Sequence, residues 1–209
     1  MPAKDAPLVI GFLGPFVEQK GAPFIRDMGK LLEEKDPSAL IRVFGANYEG
    51  VYEQGNLRFE GTYQREDIPT MLTEKGVKIV VLPSPSPETF SYIAQECMTL
   101  NVPLVCFDIG APAERIRKYG YKYGALAPEF SAESLLATVE NLLDRIYAEK
   151  EAEQKCIEGD EKRSEYYNYY SAKTWGSAES YDLCINSSAL GIEATIDVIE
   201  NFISQKLKL

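Results

Sequence analysis

The residues best suited to chemistry stand in one run, Pro83-Ser-Pro-Ser-Pro-Glu-Thr-Phe-Ser-Tyr-Ile-Ala-Gln-Glu96. It follows the apolar stretch Lys78-Ile-Val-Val-Leu82, which has the pattern of a buried strand. Three prolines then stiffen a turn, and Glu88 to Leu100 has helical spacing. At the start of a helix the backbone N–H groups have no intrahelical partner, so those of Thr89, Phe90 and Ser91 would face an anion such as a phosphate. Glu88 and Glu96, eight residues apart, would lie ~12 Å apart along a helix rising ~1.5 Å per residue. One carboxylate could meet each end of an extended ligand. Taken alone, the same pair would be a helix-dipole partner and a solvated surface charge. Lys20, taken alone, would more often be a plain surface lysine; Gly14 shortly before it and Gly21 beside it reduce the weight of that reading.

Composition removes several alternatives. The 209 residues include no histidine, which excludes a Ser-His-Asp triad, a Cys-His dyad and any His-ligated metal from this chain alone. No metal site is expected. With 22 Lys plus Arg against 32 Asp plus Glu, the net charge of −10 opposes binding to nucleic acid. The chain has no apolar run near the ~20 residues that span a bilayer, and its first residues lack the apolar core of a signal peptide. Cys97, Cys106 and Cys184 lie in apolar stretches and read as small buried hydrophobes; with Cys156 they form no CxxC pair. A reducing cytoplasm is the expected setting.

Short apolar runs alternate with amphipathic stretches from Pro7 to about Asp144. Strands are expected at Leu8–Leu13, Leu40–Phe44, Leu57–Glu60, Lys78–Leu82 and Pro103–Phe107, and helices at 22–35, after Thr62, at Glu88–Leu100, at Ala113–Tyr119 and from the N-cap Ser131 onward. This alternation predicts an α/β domain, a Rossmann-like parallel sheet with helices on both faces. The ligand would then sit at the carboxyl ends of the strands. The pattern changes near residue 147, where a densely charged stretch leads to Tyr166-Tyr-Asn-Tyr-Tyr170 and Trp175. A strand at Tyr181–Ile185 and a helix at Gly191–Leu207 complete the expected C-terminal helical and βα extension. Two domains follow, 1–147 and 148–209.

The combination Pro-Ser, Glu-Thr-Phe-Ser-Tyr, Gln-Glu and then a strand ending Phe-Asp-Ile-Gly-Ala-Pro-Ala-Glu-Arg115 resembles the donor-binding C-terminal half of GT-B glycosyltransferases. More narrowly it resembles the retaining type marked by Glu-x7-Glu, over about residues 7–145. Gly14, Lys20-Gly21 and Gly61 match that family's glycine turn, phosphate-binding lysine and third-strand end. The resemblance implies that Glu88 contacts the donor sugar, Glu96 holds the ribose hydroxyls, Lys20 neutralises the departing diphosphate, and the amides of Thr89 to Ser91 line the sugar-phosphate cradle. Such catalysis needs no metal and no other cofactor in this half. The substrate would be a UDP- or GDP-sugar whose hexose is transferred with retention. Pro15 stands where the family commonly has a second cationic residue, a place that Arg65 or Arg115 would have to fill. The family also has an N-terminal acceptor domain, so this chain is expected to need one, or a separate subunit, and to be inactive alone.

Residues 148–209 resemble the C-terminal part of cytidylate kinase-like proteins, in Asp160-Glu-Lys-Arg163, the Tyr-rich run and Tyr181-Asp-Leu-Cys-Ile-Asn-Ser-Ser188. That resemblance implies a phosphate contact at Arg163. No Gly-x4-Gly-Lys-Ser/Thr occurs, so a kinase would lack its phosphate loop. A nucleoside monophosphate kinase-like protein and a non-catalytic chimera of two partial domains are the competing expectations. On its residues alone the tail reads as a packing module, a Tyr-rich helix plus one βα unit. An open half-cleft and an unpaired βα unit would leave apolar surface for homo-oligomerisation.

Overall fold

The computed structural model describes residues 2–47, 53–171 and 174–207. They form two compact units, Met1–Glu151 and Ala152–Leu209. The first unit carries strands β1 (Val9–Leu13), β2 (Leu40–Phe44), β3 (Glu53–Gln54), β4 (Leu57–Gly61), β5 (Ile79–Leu82), β6 (Leu104–Phe107) and β7 (Gly124–Ala127). Helices α1 (Ala22–Lys35), α2 (Ile68–Glu74), α3 (Tyr92–Thr99) and α4 (Gly110–Lys118) are interleaved with them, and α5 (Ala132–Tyr170) begins in this unit and ends in the second. The sheet order is β3-β4-β2-β1-β5-β6-β7, with β3 antiparallel to β4 and every other pair parallel. Counting the parallel strands alone, this is the 3-2-1-4-5-6 order of a doubly wound sheet. The order reverses between β1 and β5.

Both faces are covered, as the continuous apolar runs of the central strands require. Ile10 and Phe12 of β1, Ile79 and Val81 of β5, and Val105 and Phe107 of β6 pack under α1 and α5. The alternate residues Val9, Leu13, Val80, Leu104 and Cys106 pack under α2, α3 and α4. A period of two along each strand therefore assigns each side chain to one of two cores. Cys97 and Cys106 are buried, and burial pushes both thiols up to about 12. β7 was not evident in the sequence because Gly-Ala-Leu-Ala is short and weakly apolar; its pairing with all four residues of β6 makes it a strand.

Three expectations are corrected. The helix predicted from Glu88 begins at Tyr92, because Ser91 has φ 59° and ψ 93°, outside helical values, and its Oγ caps the helix by accepting from the Ala94 amide at 3.4 Å. The strand expected at Tyr181–Ile185 is not formed. Among the described residues the second unit has no strand for it to pair with, and a lone extended segment leaves its ladder groups unpaired. Cys184, in that segment, is exposed and not buried. The extension is thus helical: the end of α5, then α6 (Ser187–Leu190) and α7 (Ile192–Leu207). The backbone shows no break near residue 147, since α5 runs on to Tyr170. Within the second unit Tyr167 packs on Trp175 and stacks on Tyr181, with ring centroids 5.6 and 6.4 Å away. Asn168 accepts from the Trp175 amide at 2.8 Å.

Charges at the sheet's edge are paired. Glu60 of β4 accepts from Arg42 of β2 and, at 2.6 Å, from Lys75 just after α2. Burial raises its carboxyl, but the hydrogen bonds and charges of Lys75 and Arg42 outweigh this and leave it below its ordinary value. A carboxyl lowered in this way stabilises the fold above the unfolded-state value, and that contribution is lost as pH falls through the folded value. Glu60→Gln is therefore expected to cost about 1–2 kcal/mol at pH 7. In urea melts the gap from wild type should close as the pH is taken well below the ordinary glutamate range; a gap that persists in acid would assign the loss to packing.

Candidate functional site

The carboxyl ends of β1 and β5 meet where the strand order reverses, the place where a crevice must open in such a sheet. A cleft of about 600 Å³ lies there. From the β1 side it is lined by Gly14, Pro15 and Lys20, and from the β5 side by Leu82, Glu88 and Thr89 to Ile93. Gly14 leaves β1 with φ 126°. A single 3-10 turn, Glu18–Lys20, then carries Lys20 toward the cleft and ends on Gly21, with φ 89°. A Cβ at Gly21 would fall 2.0 Å from the Pro83 carbonyl oxygen, so the two loops touch backbone to backbone at a position only glycine fits. Ser84 ties them further by donating to the Gln19 carbonyl at 3.2 Å.

Lys20 Nζ lies 2.5 Å from Glu88 Oε1. Among the described residues lining the cleft, Lys20 is the one cation. The Glu88 side chain is only 20% exposed and that of Lys20 is 43% exposed, so the carboxylate is shielded while the ammonium stays half open to water. Glu88 is anchored through its backbone, whose carbonyl accepts from the Ala111 amide at 2.8 Å at the start of α4. Thr89, Phe90 and Ser91 line the cleft, and their amides donate to no partner among the described residues. They belong to a loop and not to the helix expected from the sequence, but their availability to an anion is the same.

The loop's shape is set from outside the cleft. The Arg115 guanidinium sits 4.0 Å from the Phe90 ring centroid and donates to the Ser91 carbonyl at 3.4 Å. Phe90 and Tyr92 lie 4.9 Å apart, both exposed. Ser91 between them has the φ of a left-handed residue, which costs a non-glycine residue about 1–3 kcal/mol unless its surroundings enforce it. Tyr63, two residues beyond the end of β4, also lines the cleft, and burial pushes its hydroxyl up to about 12. The sequence reading passed over Tyr63; its place just after a strand-ending glycine was the available signal.

Glu96 is not in the cleft lining. It stands on α3, 17% exposed, and is gripped by Arg65, which also approaches the Tyr92 ring at 5.8 Å. Because α3 starts at Tyr92, the spacing of Glu88 and Glu96 along one helix does not apply; Glu88 reaches the cleft from the loop. Neither Arg65 nor Arg115 lines the cleft, so neither takes the place left by Pro15 there. Arg163 belongs to the second unit, exposed on α5 and paired with Asp160 at 2.7 Å. Among the described residues no cluster suited to a metal ion occurs, and no helix is long and apolar enough to cross a membrane.

The sheet order and the crevice define a Rossmann-like α/β domain with a cation and a carboxylate at its switch point. The family model of glycosyl transferases group 1 matches residues 2–163, and the chain belongs to that family. Its fold is that of the C-terminal domain of these GT-B proteins. Similar solved structures include TarM of S. aureus in complex with fondaparinux, alpha-GlcNAc-glycerol and UDP (TM-score 0.52, 18% identity, 69% of this chain and 30% of that one). HepE of Anabaena in complex with UDP gives a TM-score of 0.52 at 19% identity, over 69% of this chain and 40% of that one. The C-terminal domain of a group 1 glycosyl transferase, LpcC, from Francisella tularensis gives 0.52 at 21% identity, over 68% and 78%. The chain spans less than half the length of TarM and HepE. A comparison with curated proteins finds no match.

The two loops that build the cleft respond differently to one added or removed carbon. Gly21→Ala is expected to lose roughly 2–4 kcal/mol of stability, since its Cβ meets backbone at an already unfavourable φ. Ser91→Gly relieves strain while losing a cap, and should change stability by less than about 1 kcal/mol. Paired denaturant titrations check this; a harmless Gly21→Ala would contradict the close contact with Pro83.

Proposed function

We propose that residues 1–147 are the donor-binding half of a retaining glycosyltransferase of the Glu-x7-Glu type, which holds a UDP- or GDP-linked hexose in the β1/β5 cleft. The observation that carries this reading is the meeting of Lys20 and Glu88 in one cleft lined by unpaired amides. A diphosphate is the anion such a lining suits: the amides of Thr89, Phe90 and Ser91 donate to its oxygens, and Lys20 transfers from Glu88 to the phosphate. Glu88, released from its ion pair, then accepts from the sugar hydroxyls. When the bond between the anomeric carbon and the phosphate oxygen breaks, the electron pair leaves with the diphosphate. Lys20 and the amides are already in place for that charge, which is how a preorganised site lowers a barrier. Gly14 permits the ligand to approach the backbone, and Glu96 takes the ribose hydroxyls.

The acceptor is supplied by an N-terminal domain or a separate subunit, so the chain alone binds donor and transfers little. Nucleic acid has no role in this reading, the cytoplasm is its setting, and self-association through uncovered apolar surface accompanies it. Residues 148–209 serve as a packing extension. No observation favours a cytidylate kinase-like activity there or a phosphate role for Arg163.

Calorimetric titration with UDP, UDP-glucose, GDP and GDP-mannose, beside CMP and ATP, tests the proposal; UDP and UDP-glucose are the ligands of the HepE structures and come first. A nucleoside diphosphate or its sugar is expected to bind. Lys20→Ala should weaken binding by about tenfold or more, the loss of a charge-assisted hydrogen bond. Glu88→Gln should cut the affinity for UDP-glucose while sparing UDP. Binding of CMP and ATP with no response to any diphosphate would overturn the reading.

A further inference from the structure

Arg65 opens a single 3-10 turn, Arg65–Asp67, between β4 and α2, on an element separate from both Glu88 and Lys20. Its guanidinium reaches Glu96 through two nitrogens, Nε at 2.6 Å and Nη2, and both donate to the same oxygen, Oε1. The usual fork of an arginine on a carboxylate spends one nitrogen on each oxygen. Here the second oxygen, Oε2, is not used by the arginine. The Glu96 side chain is 17% exposed, so the carboxylate has limited freedom and one oxygen left to accept. The centroid of the Tyr92 ring lies 5.8 Å from the guanidinium carbon, and Tyr92 is itself a lining residue of the cleft.

We infer that Arg65 is a positioning residue: it holds Glu96 by Oε1 so that Oε2 is presented to a vicinal diol, the ribose of the bound nucleotide. This rests on the assignment of Glu96 to the ribose. It differs from the role sequence reading left open for Arg65, that of a second phosphate cation, because the guanidinium is committed to a carboxylate and lies outside the cleft lining. An orienting residue of this kind acts through Glu96 alone. Its removal therefore affects only ligands that carry the diol, and only while Glu96 is present to be oriented.

The experiment is a titration of wild type, Arg65→Gln, Glu96→Gln and the double variant with UDP and with 2′,3′-dideoxy-UDP, with melting temperatures recorded for each. Arg65 is 58% exposed at its side chain, so Arg65→Gln should fold like wild type. Arg65→Gln is expected to weaken UDP about tenfold, the scale of losing one well-oriented charged hydrogen bond. It should leave dideoxy-UDP unchanged and add nothing to Glu96→Gln. Equal weakening of both nucleotides would overturn the inference in favour of a phosphate or base contact. Tighter binding of UDP to Arg65→Gln would overturn it too, by making Arg65 a competitor for Glu96. If Glu96→Gln itself fails to distinguish UDP from dideoxy-UDP, the ribose assignment falls, and the role of Arg65 with it.

Discussion

The pair formed by Lys20 and Glu88 depends on one fact of topology, that β1 and β5 are neighbours in the sheet. Their carboxyl ends release two loops at the same place, and the chain between them forms α1, β2, β3, β4 and α2. With the sheet order reversed at this point, neither loop is covered by a crossover helix, and a crevice remains. A lysine and a glutamate 68 positions apart are thereby brought into contact. Partial burial strengthens their attraction, because the local dielectric is lower than in water. It also means that an arriving ligand must offer charges good enough to replace each partner.

The loop from Pro87 to Ser91 shows how the rest of the fold serves that crevice. Its amides stay unpaired, and Ser91 keeps a left-handed φ, both of which oppose folding. Supports from outside hold it: the Ala111 amide on Glu88, Arg115 on Phe90 and on the Ser91 carbonyl, and the Ser91 cap on α3. These supports come from the loops and helices that follow β5 and β6. A loop fixed in this way presents its donors without first having to be ordered by the ligand, and preorganised donors do more for binding than mobile ones.

The two units differ in what secures them. In the first, two cores sandwich a parallel sheet, and Phe12, Phe44 and Phe107 are fully buried in them. The second has no sheet among its described residues; its contacts include the aromatic cluster of Tyr167, Trp175 and Tyr181 and the ion pair of Lys206 on α7 with Asp182. Ile192, Ile196, Ile199 and Ile203 of α7 are exposed in it. The chemistry discussed above belongs entirely to the first unit.

Periodicity alone was enough to set α1, β2 and the central strands, because each strand is buried on both faces and each helix has one apolar stripe. The resemblance to the donor-binding half of GT-B proteins, and not periodicity, named Lys20, Glu88 and Glu96 as the site residues. Periodicity misjudged α3, where the left-handed Ser91 delays the helix, and it proposed a strand at Tyr181–Ile185 that has nothing to pair with. Short-range pattern records which residues prefer to be buried or extended; it does not record which partner is available. Strand adjacency, the contact of Gly21 with Pro83, and the choice of Glu96 oxygen by Arg65 join positions distant in the chain. Such contacts exist only after the chain has closed on itself, so the residues of this site could be named beforehand, whereas their arrangement came from the tertiary structure.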